Sequence, residues 1–232
     1  MAASSPFTTQ LAEDETLSLG EQAFRQLRDA IIRGALPAGS KISERGLAAR
    51  FGMSAQPVRE ALRRLEREGL VVTLPRSGTV VAEVGPGQLA ELGRIRAALE
   101  GVAAALAAER LDAAGLAALA ALLRRMEAGT EARDSAALDA ANEEFHALIH
   151  AAAGNAFLTR SLTSLRAYDH AGRHRAVGST PRDLPKSLAE HKAIVAAFKR
   201  RDPALAEARM RGHVLRSLVT NGVLPAGDRK PR

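Results

Sequence analysis

The first fifty residues carry two helical patterns separated by turn residues. Apolar side chains recur at intervals of three and four from Leu19 to Ile31, which predicts an amphipathic helix. Glycine and proline then cluster in "GALPAGS", which predicts a turn. The stretch that follows predicts a second, shorter helix, with Ser43 as its N-cap and Gly52 at its end.

A third helix is predicted from "SAQPVREALRRLERE". With Ser54 as the N-cap, Pro57 falls in the first turn, where its missing N–H has no intrahelical partner to lose. Val58, Leu62 and Leu65 then share one stripe at 100° per residue, and this stripe is the predicted core side. The opposite side carries Gln56, Arg59, Arg63 and Arg67.

The β-branched runs "LVVTL" and "TVVAEV", joined by "PRSG", predict a short hairpin after the third helix. Three helices followed by a hairpin are the order of a winged helix-turn-helix. From Leu89 to about Val219 the pattern is helical. The predicted fold is mainly α, with an N-terminal winged helix-turn-helix that has a small β-hairpin wing and a C-terminal all-α helical bundle. The expected organisation is a disordered leader at 1–18, a DNA-binding domain at 19–84, a linker at 85–88, a helical domain at 89–220 and a flexible basic tail at 221–232.

Composition narrows the class of protein. The 232 residues include no cysteine, which excludes disulfides and thiolate metal sites. Only 3% are aromatic, so that a core must be built mainly from alanine and leucine at close helix spacing. There is no signal-peptide pattern and no apolar run of the ~18 residues that a membrane span requires. We therefore expect a cytoplasmic protein without a membrane partner.

The third helix is a candidate for DNA binding. Short side chains at its beginning let the helix end approach another surface, and its N–H groups and dipole favour phosphate. A charged helix alone is usually a solvated face with i,i+4 pairs such as Glu60–Arg64. The Gly52 turn before it and the hairpin after it favour a recognition helix. Residues 20–84 also hold eleven lysines and arginines against seven acidic residues.

All six histidines follow residue 145. Spacing alone offers two i,i+4 pairs that could chelate a metal, His146 with His150 and His170 with His174. Helical phase instead directs His146, His191 and His213 inward from three helices and places His150 further out. A single inward histidine is more often a core residue, but three from one bundle favour a metal site. Imidazole without thiolate suits zinc, nickel or manganese.

The segment "LRDAIIRGALPAGSKISERGLAARFGMSAQPVREALRRLEREGLV" resembles the DNA-binding domain of GntR-type bacterial transcriptional regulators. The pieces "LGRIRAALEGVAAALAA", "NEEFHALIHAAAGN", "EHKAIVAAFKRRD" and "ARMRGHV" resemble the FCD-type effector-binding domain of the FadR-like subfamily. The resemblance implies a ligand-responsive homodimer that binds a double-stranded DNA operator. Such proteins are usually repressors and respond to a small organic acid effector.

The resemblance also implies roles for individual residues. The family's DNA contacts correspond to Arg45, Ser54, Gln56, Arg59 and Gly78, with Arg76 beside the last. The family commonly has Arg and then Thr after the serine, where this chain has Ala55 and Gln56. The lost guanidinium would be worth about 1–3 kcal/mol if it read a base, so we expect a different operator or weaker binding.

The family's metal ligands correspond to His146, His191 and His213, plus an acidic residue four positions before the first. Here that residue is Asn142, whose amide oxygen brings no charge, and Asp139 is a possible substitute. The resemblance further suggests that Arg96 holds the effector's carboxylate, although Arg96 and Glu100 could equally form a surface salt bridge. Arg173 is a second effector candidate, and "GRHR" also fits a solvated helix end.

Two other functions remain open for the helical domain at this point. Three histidines on a metal could activate water in a hydrolase, but spacing places no base beside them except Asp139 or Glu143. The domain could also be a dimerisation module without a ligand. The DNA-binding half favours a regulator over an enzyme.

Overall fold

The computed structural model describes residues 17–32, 34–76, 78–83, 85–173 and 184–225; for Ile32, Pro86 and residues 166–173 it describes the backbone alone. The chain divides into two compact units. Among the described residues, those up to Gly85 together with 167–173 form the first unit, and residues 86–166 and 184–225 form the second. The expected leader up to residue 16 and the expected tail from residue 226 lie outside the described residues.

The N-terminal unit is a winged helix-turn-helix, as predicted. Its elements are α1 (Leu19–Ile32), β1 (Lys41–Ile42), α2 (Glu44–Phe51), α3 (Ala55–Arg67), β2 (Val71–Leu74) and β3 (Gly78–Val81). Ser43 caps α2, where its side chain accepts a hydrogen bond from the backbone N–H of Gly46 at 3.1 Å. Gly52 ends α2 with φ 63°, a left-handed conformation that favours glycine. Only two residues, Met53 and Ser54, separate Gly52 from the start of α3.

The sheet of this unit has three strands in the order β1–β3–β2, with antiparallel neighbours. The predicted hairpin is the β2–β3 pair, in which Thr73 lies opposite Thr79. A third strand, which the sequence did not predict, adds to this hairpin, because Lys41 and Ile42 pair with Val80 and Thr79 on the other side of β3. A two-residue strand among turn residues has no alternation to detect.

The core of the N-terminal unit lies between α1, α2, α3 and the sheet. Val58, Leu62 and Leu65 of α3 are buried, as the predicted stripe requires. They belong to a cluster that includes Leu27 of α1 and Val81 of β3. This packing fixes which face of α3 is turned outward.

The C-terminal unit is a helical bundle. Its helices are α4 (Pro86–Arg110), α5 (Ala113–Ala132), α6 (Ser135–Ala152), α7 (Ala156–Arg173), α8 (Leu184–Lys199) and α9 (Pro203–Thr220). Of α7, residues 156–166 belong to this unit. Residues 86–88 of the expected linker form the first turn of α4, where a proline has no hydrogen bond to lose. Among the described residues, three helices of this unit begin at an aspartate whose carboxylate accepts a backbone N–H three residues on, namely Asp112, Asp134 and Asp202.

Small residues let α4 and α9 pack closely. A Cβ added at Gly93 would lie 2.9 Å from Leu218 Cδ1, and one added at Gly101 would lie 3.1 Å from Glu207 Cγ. The buried residues of α4 are mostly alanine, as the composition led us to expect. Among the described residues, no helix is long and apolar enough to cross a membrane.

Candidate DNA-binding surface and metal centre

The beginning of α3 is exposed and built from small side chains. Ser54 has an extended backbone (φ −68°, ψ 165°), and its hydroxyl makes no capping hydrogen bond. The N–H groups of Ala55 and Gln56 belong to the first turn and therefore have no carbonyl partner within the helix. This end of α3 can offer backbone and hydroxyl donors to an anion.

One face of α3 presents guanidinium groups to solvent. The side chains of Gln56, Arg59 and Arg63 are exposed, opposite the buried Val58 and Leu62. The structure therefore places these polar residues on the face that the helical pattern predicted. Arg67 continues this face and is also exposed.

Two contacts hold the polar groups of this face. Arg59 Nε lies 3.6 Å from Glu44 Oε2 of α2, and the two side chains are 50% and 44% exposed. Gln56 Nε2 donates to Glu60 Oε1 at 2.9 Å. Ion pairs at such exposure contribute little to stability, so phosphate or a base can replace these partners at small cost.

Arg64 differs from the other arginines of α3 because it faces α1. Its guanidinium bonds Glu21, lies 3.7 Å from the centroid of the Phe24 ring, and approaches Glu68 at 3.9 Å. The Glu60–Arg64 pair considered from spacing does not form, since Glu60 bonds Gln56. Arg64 thus joins α3 to α1 and is not part of the outer face.

The other candidate DNA contacts are also exposed. Arg45 lies on α2, and Arg76 and Gly78 lie at the tip of the β2–β3 hairpin. Both hairpin residues have positive φ, 63° for Arg76 and 82° for Gly78. Glycine adopts this conformation readily, whereas at Arg76 it is uncommon.

In the C-terminal unit, three buried histidines from three helices meet. His146 of α6, His191 of α8 and His213 of α9 are 5%, 2% and 5% exposed. One ring nitrogen from each lies within 4.8 Å of the others. The His191 and His213 rings are nearest, with centroids 4.3 Å apart. The structure therefore brings together the trio selected by helical phase.

Each of the three rings is held at Nδ1 by an oxygen outside the cluster. His146 Nδ1 lies 3.1 Å from Glu100 Oε2, and His213 Nδ1 lies 2.9 Å from Glu190 Oε2. His191 Nδ1 lies 2.8 Å from the Ser187 carbonyl oxygen. A carbonyl or an ionised carboxylate only accepts, so each Nδ1 carries the proton, and in the neutral ring the lone pair is on Nε2. Three imidazoles held in this tautomer are suited to bind a metal.

The surroundings shift the pKa of two groups of the cluster, His191 and Glu100. Burial lowers the pKa of His191 well below its ordinary value, and His213 and His146 lower it further. Burial raises the pKa of Glu100, but the charge and hydrogen bonds of His146 and His150 outweigh this and hold that pKa well below its ordinary value. His191 is therefore a neutral ring and Glu100 an acceptor at neutral pH.

Asn142 occupies the position beside His191. Its Oδ1 lies 3.0 Å from His191 Nε2, which carries a lone pair because Nδ1 donates to Ser187. Two acceptors at this distance repel each other, and either a cation between them or a reversed amide removes the conflict. The donor set fits a divalent cation.

The alternative ligand Asp139 does not reach this site. Its side chain is exposed on α6, while Asn142 is partly buried at the cluster. Asp139 precedes Asn142 by three residues and His146 by seven, but the bundle covers only the side of α6 that holds the other two. Of the two residues considered, Asn142 is the one at the histidines.

Sequence reasoning missed the surroundings of His150 and Glu100. The expectation that His150 lies further out is wrong, because it is 5% exposed and its Nε2 lies 2.9 Å from Glu100 Oε2. Glu100 bonds His146 and His150 instead of forming the i,i+4 salt bridge with Arg96. The sequence did contain a signal that Glu100 is buried. It stands three residues after Ala97 and four before Ala104, both buried, and so lies within an apolar stripe of α4.

Of the two effector candidates, Arg96 and Arg173, the structure describes only the side chain of Arg96. Arg96 is partly buried on α4, four residues before Glu100. The side chains of His170 and Arg173, together with all of His174 and Arg175, lie outside the described residues.

Comparison with known proteins agrees with both units. The model of bacterial regulatory proteins of the gntR family matches residues 19–81, and the model of the FCD domain matches residues 91–216. The transcriptional regulator McbR of Escherichia coli K12 is 32% identical over 187 residues, 80% of this chain and 85% of that protein. The repressor GlaR of the same strain is 29% identical over 203 residues, 83% of this chain and 90% of that protein.

A solved structure described as E. coli McbR/YncC has the same fold. It matches with a TM-score of 0.74 at 28% identity, covering 89% of this chain and 98% of that chain. The protein thus belongs to the gntR family of DNA-binding bacterial transcriptional regulators, which are not enzymes. Within that family it carries a C-terminal FCD domain, so it belongs to the FadR-like subfamily.

Proposed function

We propose that this chain is an effector-responsive repressor that binds an operator as a homodimer and holds a divalent metal in its FCD domain. The observation that carries the proposal is the convergence of three buried imidazoles, each held at Nδ1 by an outer oxygen. The relative GlaR is named a transcriptional repressor, which supports repression as the mode of action. Because a bacterial transcriptional regulator binds DNA inside the cell, the protein would act in the cytoplasm.

The DNA-binding part of the proposal uses the outer face of α3 and the hairpin tip. Gln56 and Arg59 stand near the beginning of α3, where a recognition helix contacts base edges. Ser54, Arg45 and Arg63 would bind phosphates and set the register. Because phosphate contacts release counterions, binding should weaken steeply as salt rises. Arg76 and Gly78 form the tip that would approach the adjacent groove or backbone.

The metal would be held by His146, His191, His213 and Asn142. These ligands are three neutral rings and one amide oxygen, a set that zinc, nickel or manganese can accept. When bound, the metal would supply a positive charge that attracts a carboxylate. Arg96 would bind the same small organic acid through its planar guanidinium. Asn142 brings no negative charge, so we expect weaker metal binding than an aspartate would give.

Thermal unfolding tests the metal and effector parts together. Binding to the native state raises the melting temperature, by an amount that grows as RT ln(1 + [L]/Kd). Zinc, nickel and manganese are each added to chelator-treated protein, and a panel of small organic acids follows. Stabilisation by metal and further stabilisation by an acid support the proposal. No stabilisation by any metal or acid would contradict the proposal and favour a helical domain that only dimerises. Analytical ultracentrifugation would then test whether the chain is a dimer.

The operator part is tested with duplexes selected from a random library by the wild-type protein. The selected duplex should bind two chains, and its two halves should be related by a two-fold axis, because a symmetric dimer reads a palindrome. Selection of a single asymmetric site by a monomer would contradict the homodimer.

A further inference from the structure

We propose that Glu100 is a positioning residue of the metal centre, which fixes the tautomer of His146 and supplies the negative charge that the ligands lack. His150 assists by holding the same carboxylate oxygen. The proposal rests on the metal site proposed above, and the experiments below separate the failure of one from the failure of the other.

The geometry around Glu100 gives its carboxylate a defined role. Its Oε2 accepts from His146 Nδ1 at 3.1 Å and from His150 Nε2 at 2.9 Å. All three side chains are buried, and Glu100 is 1% exposed. With Nδ1–H pointing at Glu100, only Nε2 of His146 can turn its lone pair to a cation shared with His191 and His213. A carboxylate behind a ligating histidine also makes the ring a stronger ligand.

The charge count assigns a second role to the same group. Three neutral imidazoles and the Asn142 amide bring no negative charge to a dication placed in a buried site. Glu100 lies one ring away from that position, and its hydrogen-bond partners are two imidazoles. Among the described side chains, no lysine or arginine is bonded to Glu100, and a buried carboxylate in such surroundings is costly unless a positive charge is near. The metal and Glu100 therefore stabilise each other.

Glu190 provides an internal comparison. It accepts from His213 Nδ1 in the same way, but its other oxygen bonds Arg216 Nε, and its side chain is 25% exposed. Arg216 already balances the charge of Glu190, and solvent screens it further. The carbonyl of Ser187, behind His191, carries no net charge at all. The three outer acceptors thus differ in the uncompensated negative charge that they bring to the site. Glu100 brings the most, so we expect it to contribute most to metal affinity.

His150 has the opposite tautomer from the three ligands. Its Nε2 faces the carboxylate of Glu100, so its proton is on Nε2. This second hydrogen bond fixes the orientation of Oε2 toward His146. The same three groups could instead bind a second cation between Glu100, His146 and His150, but then His146 Nδ1 would have to lose its proton. The experiments distinguish these two arrangements.

The first experiment measures zinc affinity by competition with a chromophoric chelator. The glutamine in E100Q can still accept both N–H groups through its carbonyl oxygen, so the variant removes the charge while keeping the shape. We expect zinc affinity to fall about 10- to 100-fold in E100Q and by less than about 10-fold in E190Q. E144Q is the surface control, because Glu144 pairs with Arg125 in solvent, and it should match the wild type.

This titration distinguishes failure of the proposed metal site from failure of the role proposed for Glu100. A wild type that binds no zinc would overturn the proposed metal site, and with it this inference. A wild type that binds zinc and an E100Q variant of equal affinity would overturn the inference alone. Circular dichroism of the metal-free variants verifies that each is folded.

The second experiment needs no variant at position 100. Long-range ¹H–¹⁵N correlation spectra of the zinc-loaded wild type, labelled at histidine, report which ring nitrogens are protonated or metal-bound. We expect Nδ1–H and metal-bound Nε2 for His146, His191 and His213, and an Nε2–H tautomer for His150 that zinc does not change. Zinc on Nδ1 of His146, or a second zinc equivalent that shifts His150, would overturn the positioning role.

Discussion

The outer face of α3 and the histidine cluster both contain a carboxylate paired with a nitrogen group, but the first pair is exposed to solvent and the second is buried. Arg59 and Glu44 are about half exposed and 3.6 Å apart, whereas the side chain of Glu100 is 2% exposed and bonded to two buried rings. An exposed pair contributes little and can exchange partners, so it leaves Arg59 ready for DNA. A buried network holds one arrangement, because leaving any member unpaired is expensive. The exposed contacts of α3 therefore support the proposed binding of DNA, and the buried network supports the proposed binding of a metal cation.

The largest expected effect follows from removing a ligand of the cluster. In His213→Ala the metal loses one ring, and Glu190 loses the N–H that it accepts. Loss of a ligand should exceed the roughly 10- to 100-fold cost of losing an outer partner, so zinc affinity should fall by more than about 100-fold. Chelator competition and elemental analysis of the purified variant measure this.

The DNA affinity of His213→Ala without effector is the control for that variant. It should stay near that of the chelator-treated wild type, while the change in operator affinity on adding an active acid should shrink. An unchanged response to the acid together with unchanged bound metal would contradict the assignment of His213.

The next largest effect is a loss of operator affinity on changing the outer face of α3. Arg59→Ala should weaken operator binding by about 1–3 kcal/mol for each chain that reads a base. The fold and dimerisation should be unaffected, because Arg59 is exposed and its partner Glu44 remains solvated. Gel shift and analytical ultracentrifugation measure the two properties. Equal retention of the selected duplex by the variant and the wild type would count against this face of α3.

A smaller effect is expected at Arg63, one turn further along the same face. Arg63→Ala should weaken binding to all duplexes to a similar degree and reduce the slope of log K against log salt by about 1 for each phosphate that the variant no longer neutralises. Fluorescence anisotropy at several salt concentrations gives the slope. A change in which bases are selected, with the slope unaltered, would move Arg63 from phosphate to base recognition.

The smallest effect on DNA binding is expected at Arg64. A variant at this position is the matched control for Arg59→Ala and Arg63→Ala. Arg64→Met keeps the long side chain over Phe24 but removes the ion pair with Glu21, so unfolding stability should fall by about 1 kcal/mol. Operator affinity should not change, since the guanidinium faces α1. Urea unfolding and anisotropy measure the two quantities, and a loss of DNA affinity at equal stability would place Arg64 at the interface.

The sequence predicted the N-terminal unit well because its signals are local. The stripe of Val58, Leu62 and Leu65 and the Gly52 turn each depend on residues close in the chain, and the structure has them as predicted. The strand Lys41–Ile42 was missed because its two residues are ordered by β3, almost forty positions away. Arg64 looked like the other arginines of α3, and only the position of α1 distinguishes it.

The candidate metal centre was predictable only in part for the same reason. Helical phase turned three histidines inward, but it could not show which helix covers the far side of α6. That helix is α4, and it brings Glu100 between His146 and His150. The choice between Asn142 and Asp139 likewise needed the position of His191. Contacts between distant segments decide these details, and no single segment contains them.

X-ray absorption at the zinc edge of the zinc-loaded wild-type protein tests the central claim most directly. The account predicts one zinc per chain, with three imidazole rings among its ligands and oxygen in the remaining positions. Zinc without imidazole scattering, or with fewer than three rings, would contradict the claim that His146, His191 and His213 share one cation.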